Sequence, residues 1–450
     1  MQIEKAISKR IFAGGTVSVA VLLTGLMLAP NAKPDEEGRK GADRLIDKNA
    51  SGMIDAGRRT FRYDTFGDQV FWGDSLKLHQ AIAGSKLGGL GPGVSPRTAL
   101  SVGLKVDVEA LPDSLQKDLA NGHVNLDDPA TTVALLKLDS VVGVTGFFDT
   151  NGQLKSMGIQ CALCHSTVDN SFAPGIGRRL DGWANRDLNV GAIVALAPDL
   201  TAVTNVLGGD GKTARTVLNS WGPGKFDAEL FLDGKAFRPD GKSSAVLIPP
   251  AFGLAGVNLG TWTGFGSTTY WNAFVANLEM HGQGTFYDPR LIDTVQFPLA
   301  AKAGSGNQRS EPDVITAKLA ALQFYQLAIP APVSPDADNP LNYAARRGKA
   351  IFEGKAKCAA CHVPPLFTEP GFNMHTPQEI GIDDFQANRS PTGMYRTAPL
   401  KGLFTHEKGG FYHDGRFPSL DSVVDHYDGV LKTGLTGEEK ADLISYLRTL

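Results

Sequence analysis

The sequence predicts a mainly α protein made of two similar halves, and three observations carry that prediction. The pattern C-x-x-C-H occurs twice, at Cys161–His165 and at Cys358–His362, and uses every cysteine in the chain. The stretch Ala56-Gly57-Arg58-Arg59-Thr60-Phe61 is echoed by Arg347-Gly348-Lys349-Ala350-Ile351-Phe352. A segment with helical apolar spacing closes each half: Ile315 to Leu327, ending Phe324-Tyr325-Gln326-Leu327, and Leu443 to Leu450, holding Tyr446-Leu447.

The repeated pentapeptide has a chemical reason. Two thiols add to the two vinyl groups of one porphyrin, and the following imidazole sits under the iron as its proximal ligand. Disulfides, a zinc site or thioredoxin-like redox pairs also use two cysteines, but none requires His directly after both pairs. Cys161, Cys164 and His165 therefore read as one covalent haem c site, and Cys358, Cys361 and His362 as a second. The fold class that follows is mainly α, with two cytochrome c-like haem domains and long loop-rich insertions in the first.

Composition agrees. Lys and Arg number 44 against 47 Asp and Glu, with no extended basic patch, so a nucleic-acid partner is excluded. The 52 Gly and 26 Pro predict many turns, as a chain wrapped around flat cofactors needs. The N-terminus reads as an export segment, residues 1–30. Lys5, Lys9 and Arg10 precede an uncharged, mostly apolar run from Ile11 to Ala29, and polar residues follow from Asn31. Cleavage near Ala29 or Ala32 is favoured over retention as a membrane anchor. Either outcome places the rest of the chain in the periplasm.

The first haem domain spans 31–329. Asp47-Lys-Asn49-Ala-Ser51-Gly52-Met-Ile54-Asp55 follows the first nine positions of an EF-hand loop, but Arg58 stands where a bidentate acid belongs. A capped turn before a helix is the preferred reading there. An opening helix through Phe61 comes next, and then an insertion at about 66–155. That insertion holds an amphipathic stretch at 113–120, an apolar run at 131–148 and a turn at Asp149–Gly152. Residues 220–300 have no clean period apart from a short helix from Trp271 to Leu278. A proline-rich linker fills 330–342. The second haem domain, 343–450, has the compact order of opening helix, loop and haem motif, with Cys358 six residues after Phe352.

The ligand opposite each proximal His decides the chemistry. A strong second ligand makes an electron carrier, whereas an open position binds peroxide or dioxygen. His281, in Glu279-Met280-His281-Gly282-Gln283-Gly284, is the His between the two motifs. It is the candidate for the first iron, as ligand or as proton shuttle, with Glu279 as an acid–base partner; a surface loop His is the competing reading. His79 and His123, in the insertion, are weaker candidates. Trp262 and Trp271 are candidates for an aromatic between the haems, against ordinary core packing.

The C-terminal stretch carries a resemblance. Arg396-Thr397-Ala398-Pro399-Leu400, Tyr412-His413-Asp414-Gly415 and Ser419-Leu420 follow the second motif. Residues 343–450 are thereby similar to the C-terminal haem domain of the bacterial di-haem cytochrome c peroxidase superfamily. The resemblance implies a Met ligand near the end of the helix after H-D-G; ungapped counting puts Tyr427 there, with His426 before it and Met394 off the pattern. Tyr at this point resembles the subgroup that makes tryptophan-derived quinone cofactors, while His426 would give a bis-His haem. Packing of the helix on the haem edge is the bland alternative for both. The resemblance further implies a calcium ion between the domains, held in part by Thr397 and Pro399.

The first half departs from the short peroxidases, having no His in residues 166–190. The separation of the motifs, about two hundred residues, resembles instead the rubber-oxygenase branch, whose members use one dioxygen-binding haem. The expected activity is peroxide reduction at the first haem, with electrons entering at the C-terminal haem. A small cytochrome or cupredoxin, or a quinol-linked chain, is the expected donor. A pure electron-transfer di-haem cytochrome and an oxygenase acting on an organic substrate are the alternatives.

Overall fold

The first described element is a helix that covers the EF-hand-like stretch. The computed structural model describes residues 41–450 except 338, 340 and 341, so the export segment lies outside the described residues. Helix α1 runs Ala42–Tyr63, and Asp47 to Asp55 lie inside it. The expectation of a calcium loop or a turn is therefore corrected. The stretch has no Pro, and one exposed Gly costs a helix of this length only about 1 kcal/mol.

The repeated segments make one contact twice. Four more helices set the frame: α2 (Thr268–Phe274), α3 (Thr316–Ala328), α4 (Tyr343–Glu353) and α5 (Leu420–Leu431). The last, α6, spans Gly437–Leu447 and starts with a Thr436/Glu439 capping box. Gly57 of α1 lies so close to α3 that a Cβ there would stand 2.0 Å from the Ala321 carbonyl oxygen. Gly348 of α4 approaches α6 in the same way, 1.9 Å from the Asp442 oxygen. Each glycine is followed four residues later by a Phe set edge-on to the Tyr of the closing helix. Phe61–Tyr325 centroids are 5.6 Å apart and Phe352–Tyr446 centroids 5.3 Å. The apolar sides of α4 and α6 belong to a core of Ala345, Phe352, Leu443 and Leu447, which Leu420 and Val424 of α5 join.

The insertion builds core of its own. Its amphipathic stretch is the helix Asp113–Ala120. The apolar run divides into a helix, Pro129–Lys137, and a strand, β1 (Val144–Phe148). The chain then turns at Asp149, whose carboxylate accepts from the amides of Asn151 and Gln153, and returns as β2 (Leu154–Ile159). Trp72, Leu76, Leu136, Val141, Met157, Leu188 and Leu218 share the largest hydrophobic cluster. The insertion therefore packs against residues 188–248 and is far from a loose excursion. Strands among the described residues occur only as two-stranded pairs, so the fold is mainly α.

Residues 50–450 form one compact unit. Charged pairs join the stretches on either side of the proline-rich segment. Arg389 is fully buried between Asp227 (2.9 Å) and Asp233 (2.8 Å). Arg238 bonds Asp383 (2.9 Å) and Asp414 (2.8 Å), and Arg416 pairs with the same two carboxylates. No described helix is long and apolar enough to cross a membrane.

Candidate functional site

The first motif sits on a single turn of helix, Ala162–His165, pinned from both sides. Gly143, with φ of +81°, lets the loop before β1 approach so closely that a Cβ would meet Leu163 backbone at 2.1 Å. The amides of Gly182 and Asn185 donate to the carbonyls of His165 and Cys164 at 2.8 and 2.9 Å. All four cysteines are free thiols, so neither pair is a disulfide. Burial pushes the Cys161 and Cys164 thiols up to about 12, which keeps them neutral. Burial also drives His165 down to about 4, with the Pro249 carbonyl pulling the other way. Its imidazole is therefore neutral, as a metal ligand must be.

These three side chains open onto a cavity of about 300 Å³. Its walls are mostly aliphatic and aromatic, drawn from the insertion, from residues 190–196 and from Trp262 and Trp271. A few polar groups converge on it: Glu229, Glu279, Gln326, Gln386 and Arg396. Two thiols and a neutral imidazole at the edge of a large apolar cavity fit a covalently held porphyrin. His165 Nδ1 is buried without a hydrogen-bond partner, while the Pro249 carbonyl lies against the ring.

Glu279 reaches this wall through a local irregularity. Helix α2 widens after Phe274 into one π turn, Val275–Glu279, closed by the Met280 amide on the Val275 carbonyl at 2.8 Å. Such turns recur at functional sites. Burial, then Glu229, then Asp227 hold the Glu279 carboxyl well above its usual range. Glu229 is raised by burial as well, and Asp227 is pushed up to about 7 by burial although Arg389 opposes it. Arg389 pairs with Asp227 and Asp233 and draws on Glu229, whereas Glu279 faces only the other carboxyls, so the cluster holds protons at neutral pH.

His281 lies elsewhere. Its φ of +60° turns the ring onto Phe71, stacked at 3.6 Å between centroids, with Trp72 and Phe231 at its edges. Burial alone drives it down to about 4. His281 is not among the residues that line the cavity; Glu279 and Met280 are. The two side chains read together from the sequence are thus separated, one on the wall and one behind it. His123 is exposed beside Asp118, and His79 is half-buried near Gly73.

The second motif begins as a 3₁₀ turn, Cys358–Ala360. His362 Nδ1–H donates to the Phe367 carbonyl at 3.1 Å, which fixes ring and tautomer. Burial lowers His362, with Phe367 and Glu369 opposing. Tyr427 of α5 shares the surroundings of these thiols. Burial raises its phenol, the Tyr412 hydroxyl opposes the rise, and Cys361 and Cys358 add to it. His426 points another way, its Nε2–H donating to the Ile380 carbonyl at 2.9 Å while the ring packs on Phe417. Met394 sits exposed in the loop at Thr392, away from this cluster.

Both of Thr397's oxygens are in use. Its carbonyl accepts from Thr368 Oγ1 and its hydroxyl donates to Glu369, each at 2.5 Å. A cation at Thr397 and Pro399 would share that carbonyl with Thr368. Two other groups of metal-type ligands occur among the described residues, Cys361/Glu369/His375 and Asp383/His413/Asp414. The first is bridged by His375, which bonds Glu369 at 2.6 Å and Glu379 at 2.8 Å. The second is filled by the Arg238 and Arg416 guanidiniums.

Sequence reasoning missed Asp227, Glu229, Gln386, Arg389 and Arg396, which come together only through folding. It also missed Trp183, which meets Phe252 at 6.4 Å and Phe404 at 5.9 Å.

No family model matches the sequence. Methylamine utilization protein MauG of Methylorubrum extorquens is 33% identical over 156 residues, covering 30% of this chain and 43% of that protein. Cytochrome-c peroxidase IdrP1 of Denitromonas iodatirespirans is 26% identical over 149 residues, covering 24% and 40%. The chain thus spans less than half the length of these curated relatives. Among solved structures, the diheme peroxidase BthA from Burkholderia thailandensis aligns with a TM-score of 0.32 at 19% identity, over 51% of this chain and 78% of that one. Hydrazine synthase of Kuenenia stuttgartiensis aligns with a TM-score of 0.26 at 17% identity, over 50% and 86%.

Proposed function

We propose, from the premise that the chain belongs to the di-haem cytochrome c peroxidase superfamily, that it is an exported di-haem oxidoreductase that reduces peroxide at its first haem. Cys161, Cys164 and His165 hold that haem, and Cys358, Cys361 and His362 hold the second. Haem iron, when bound, supplies peroxide binding and electron exchange.

One observation carries the reading: the cavity at the first motif is lined by buried carboxyls, and His165 is the imidazole on its wall. Reduction of one peroxide to two waters consumes two electrons and two protons. Glu279, kept protonated by burial and by its neighbours, would hand protons to the peroxide oxygens as they leave as water. Glu229 and Asp227 behind it are the reservoir that re-protonates it. The aliphatic walls exclude water from the exchange. His281 is assigned to packing under the Glu279 segment rather than to iron.

At the second motif Tyr427, which shares the surroundings of the Cys358 and Cys361 thiols, would help hold the second haem, and that haem would receive electrons from a small redox protein. Trp262 lies on the cavity wall, its carbonyl accepting from the Arg396 amide at 3.0 Å, and is the aromatic favoured to assist transfer between the haems.

The test is an electron paramagnetic resonance spectrum of the oxidised protein before and after hydrogen peroxide. A high-spin signal from one haem that peroxide alters is expected. Two low-spin signals indifferent to peroxide, in oxidised and half-reduced protein alike, would make the chain an electron carrier and end the peroxidase reading.

A further inference from the structure

Arg396 is a cation without an anion. Its Nε–H donates to the Thr261 carbonyl, and its Nη1 is sealed from solvent with no partner. Burial alone acts on the guanidinium, lowering it to about 10; no carboxylate offsets the loss of water. Two other buried arginines are compensated. Arg389 has Asp227 and Asp233, and Arg179 has Asp107 at 3.0 Å. Arg186 is orphaned too, but it does not line the cavity. Arg396 does. A charge taken out of water without a counter-charge is strongly unfavourable, so the anion has to come from whatever fills the cavity.

We infer that Arg396 anchors a propionate of the haem held by Cys161, Cys164 and His165. The inference rests on the reading that the cavity holds that haem. Haem c uses its vinyl edge for the thioethers and leaves two carboxylates at the opposite edge. The planar fork of Arg matches a carboxylate with two donors. Arg396 follows the second haem motif in sequence while the cavity belongs to the first, so the contact ties the C-terminal haem region to the first haem. The backbone supports this placement: the Arg396 amide holds the Trp262 carbonyl, and Thr397 beside it is fixed by Thr368 and Glu369.

The test uses Arg396→Met and Arg396→Lys. Thioether attachment keeps the haem in place, so both variants are compared as loaded proteins, with haem-stained denaturing gels confirming two haems per chain. Removing the cation leaves the propionate uncompensated and favours the ferric state. The midpoint potential of one haem therefore falls in R396M and falls less in R396K, while the other potential stays. Resonance Raman on the wild type supplies a reading that needs no variant: the propionate bending mode of one haem lies where a hydrogen-bonded carboxylate puts it. Two unchanged potentials in fully loaded R396M, or propionate modes of free carboxylates in the wild type, overturn the proposal. A wild-type potential that drifts when chloride and phosphate are dialysed away also overturns it, because the partner would then be a diffusible anion. Absence of any haem from the denatured wild-type band removes the haem reading itself, an outcome separable from loaded protein whose potentials ignore R396M.

Discussion

Gly348→Ala sets two opposed effects against each other at the crossing of α4 and α6. Helix propensity favours the change: Gly costs about 1 kcal/mol relative to Ala inside a helix. The crossing forbids it. A Cβ at Gly348 would lie 1.9 Å from the Asp442 oxygen, whereas ordinary contact begins near 3.4 Å, so the helices must part by about 1.5 Å. A gap of that size forfeits most of the dispersion between the two surfaces. It also strains the edge contact of Phe352 with Tyr446 and the paired bonds of Arg347 to Asp442, both 2.6 Å. Overpacking of this kind costs about 1–3 kcal/mol. The upper end applies, because the obstacle is backbone rather than a flexible side chain, and the net loss is about 2 kcal/mol. For a unit the size of the C-terminal haem domain that lowers Tm by about 8 °C. The assay is thermal melting of the haem-loaded protein followed by far-ultraviolet circular dichroism, with Gly429→Ala as comparator. Gly429 sits in α5 with nothing within 4 Å, so its Ala variant is expected to melt at or slightly above wild type. G348A melting with G429A, at or above wild type, would falsify the close-approach argument and leave propensity as the governing effect.

Glu279→Gln keeps the shape of the cavity wall and removes the proton, so peroxide turnover should fall by about 10²–10⁴-fold with haem content unchanged; a loss no larger than that of His281→Ala would shift the role to the imidazole. Tyr427→Phe should alter the absorption and magnetic resonance spectra of one haem, whereas His426→Ala, which loses the bond to the Ile380 carbonyl and the packing on Phe417, should leave both haems intact; the reverse pattern would make His426 the ligand. Asp68 is fully buried and pushed up to about 9 by desolvation. Its folded pKa is raised, so the native state holds a proton that the unfolded chain releases from about pH 4 upward. Stability therefore falls, relative to Asp68→Asn, by up to about 1.4 kcal/mol per pH unit as pH rises toward 9. Urea titrations at pH 5 and pH 8 measure this, and a pH-independent difference between the proteins would show that Asp68 is ionised.

How much of this was legible beforehand varies with the reach of each interaction. Both haem motifs, the opening and closing helices, the helix at 113–120 and the turn at Asp149 are local patterns, written in residues a few positions apart, and the structure has helices or turns at those places. The Gly57/Gly348 echo was visible as a string, but its purpose was not. Only the crossing shows that a Cβ is forbidden there. The EF-hand-like stretch misled because a spacing of oxygens every second residue also occurs by chance on a helix, and nothing local marks which backbone it will adopt. His281 misled for a related reason. Its neighbourhood in sequence suggested a partner for Glu279, yet one left-handed φ turned its ring onto Phe71, a residue from the other end of the domain.

What the sequence by itself determined is a donor set: two thiols and an imidazole in fixed register, twice, the spacing that the proposed attachment of a porphyrin requires. Only the tertiary structure decided what faces that chemistry. The buried carboxyls Asp227, Glu229 and Glu279, the Arg389 guanidinium beside the first two, and the orphaned Arg396 come from three segments well separated in the chain. Each is an ordinary charged residue in the string. Burial sets them apart: out of water, a carboxyl keeps its proton and a guanidinium requires an anion, and burial is a property of the folded chain alone.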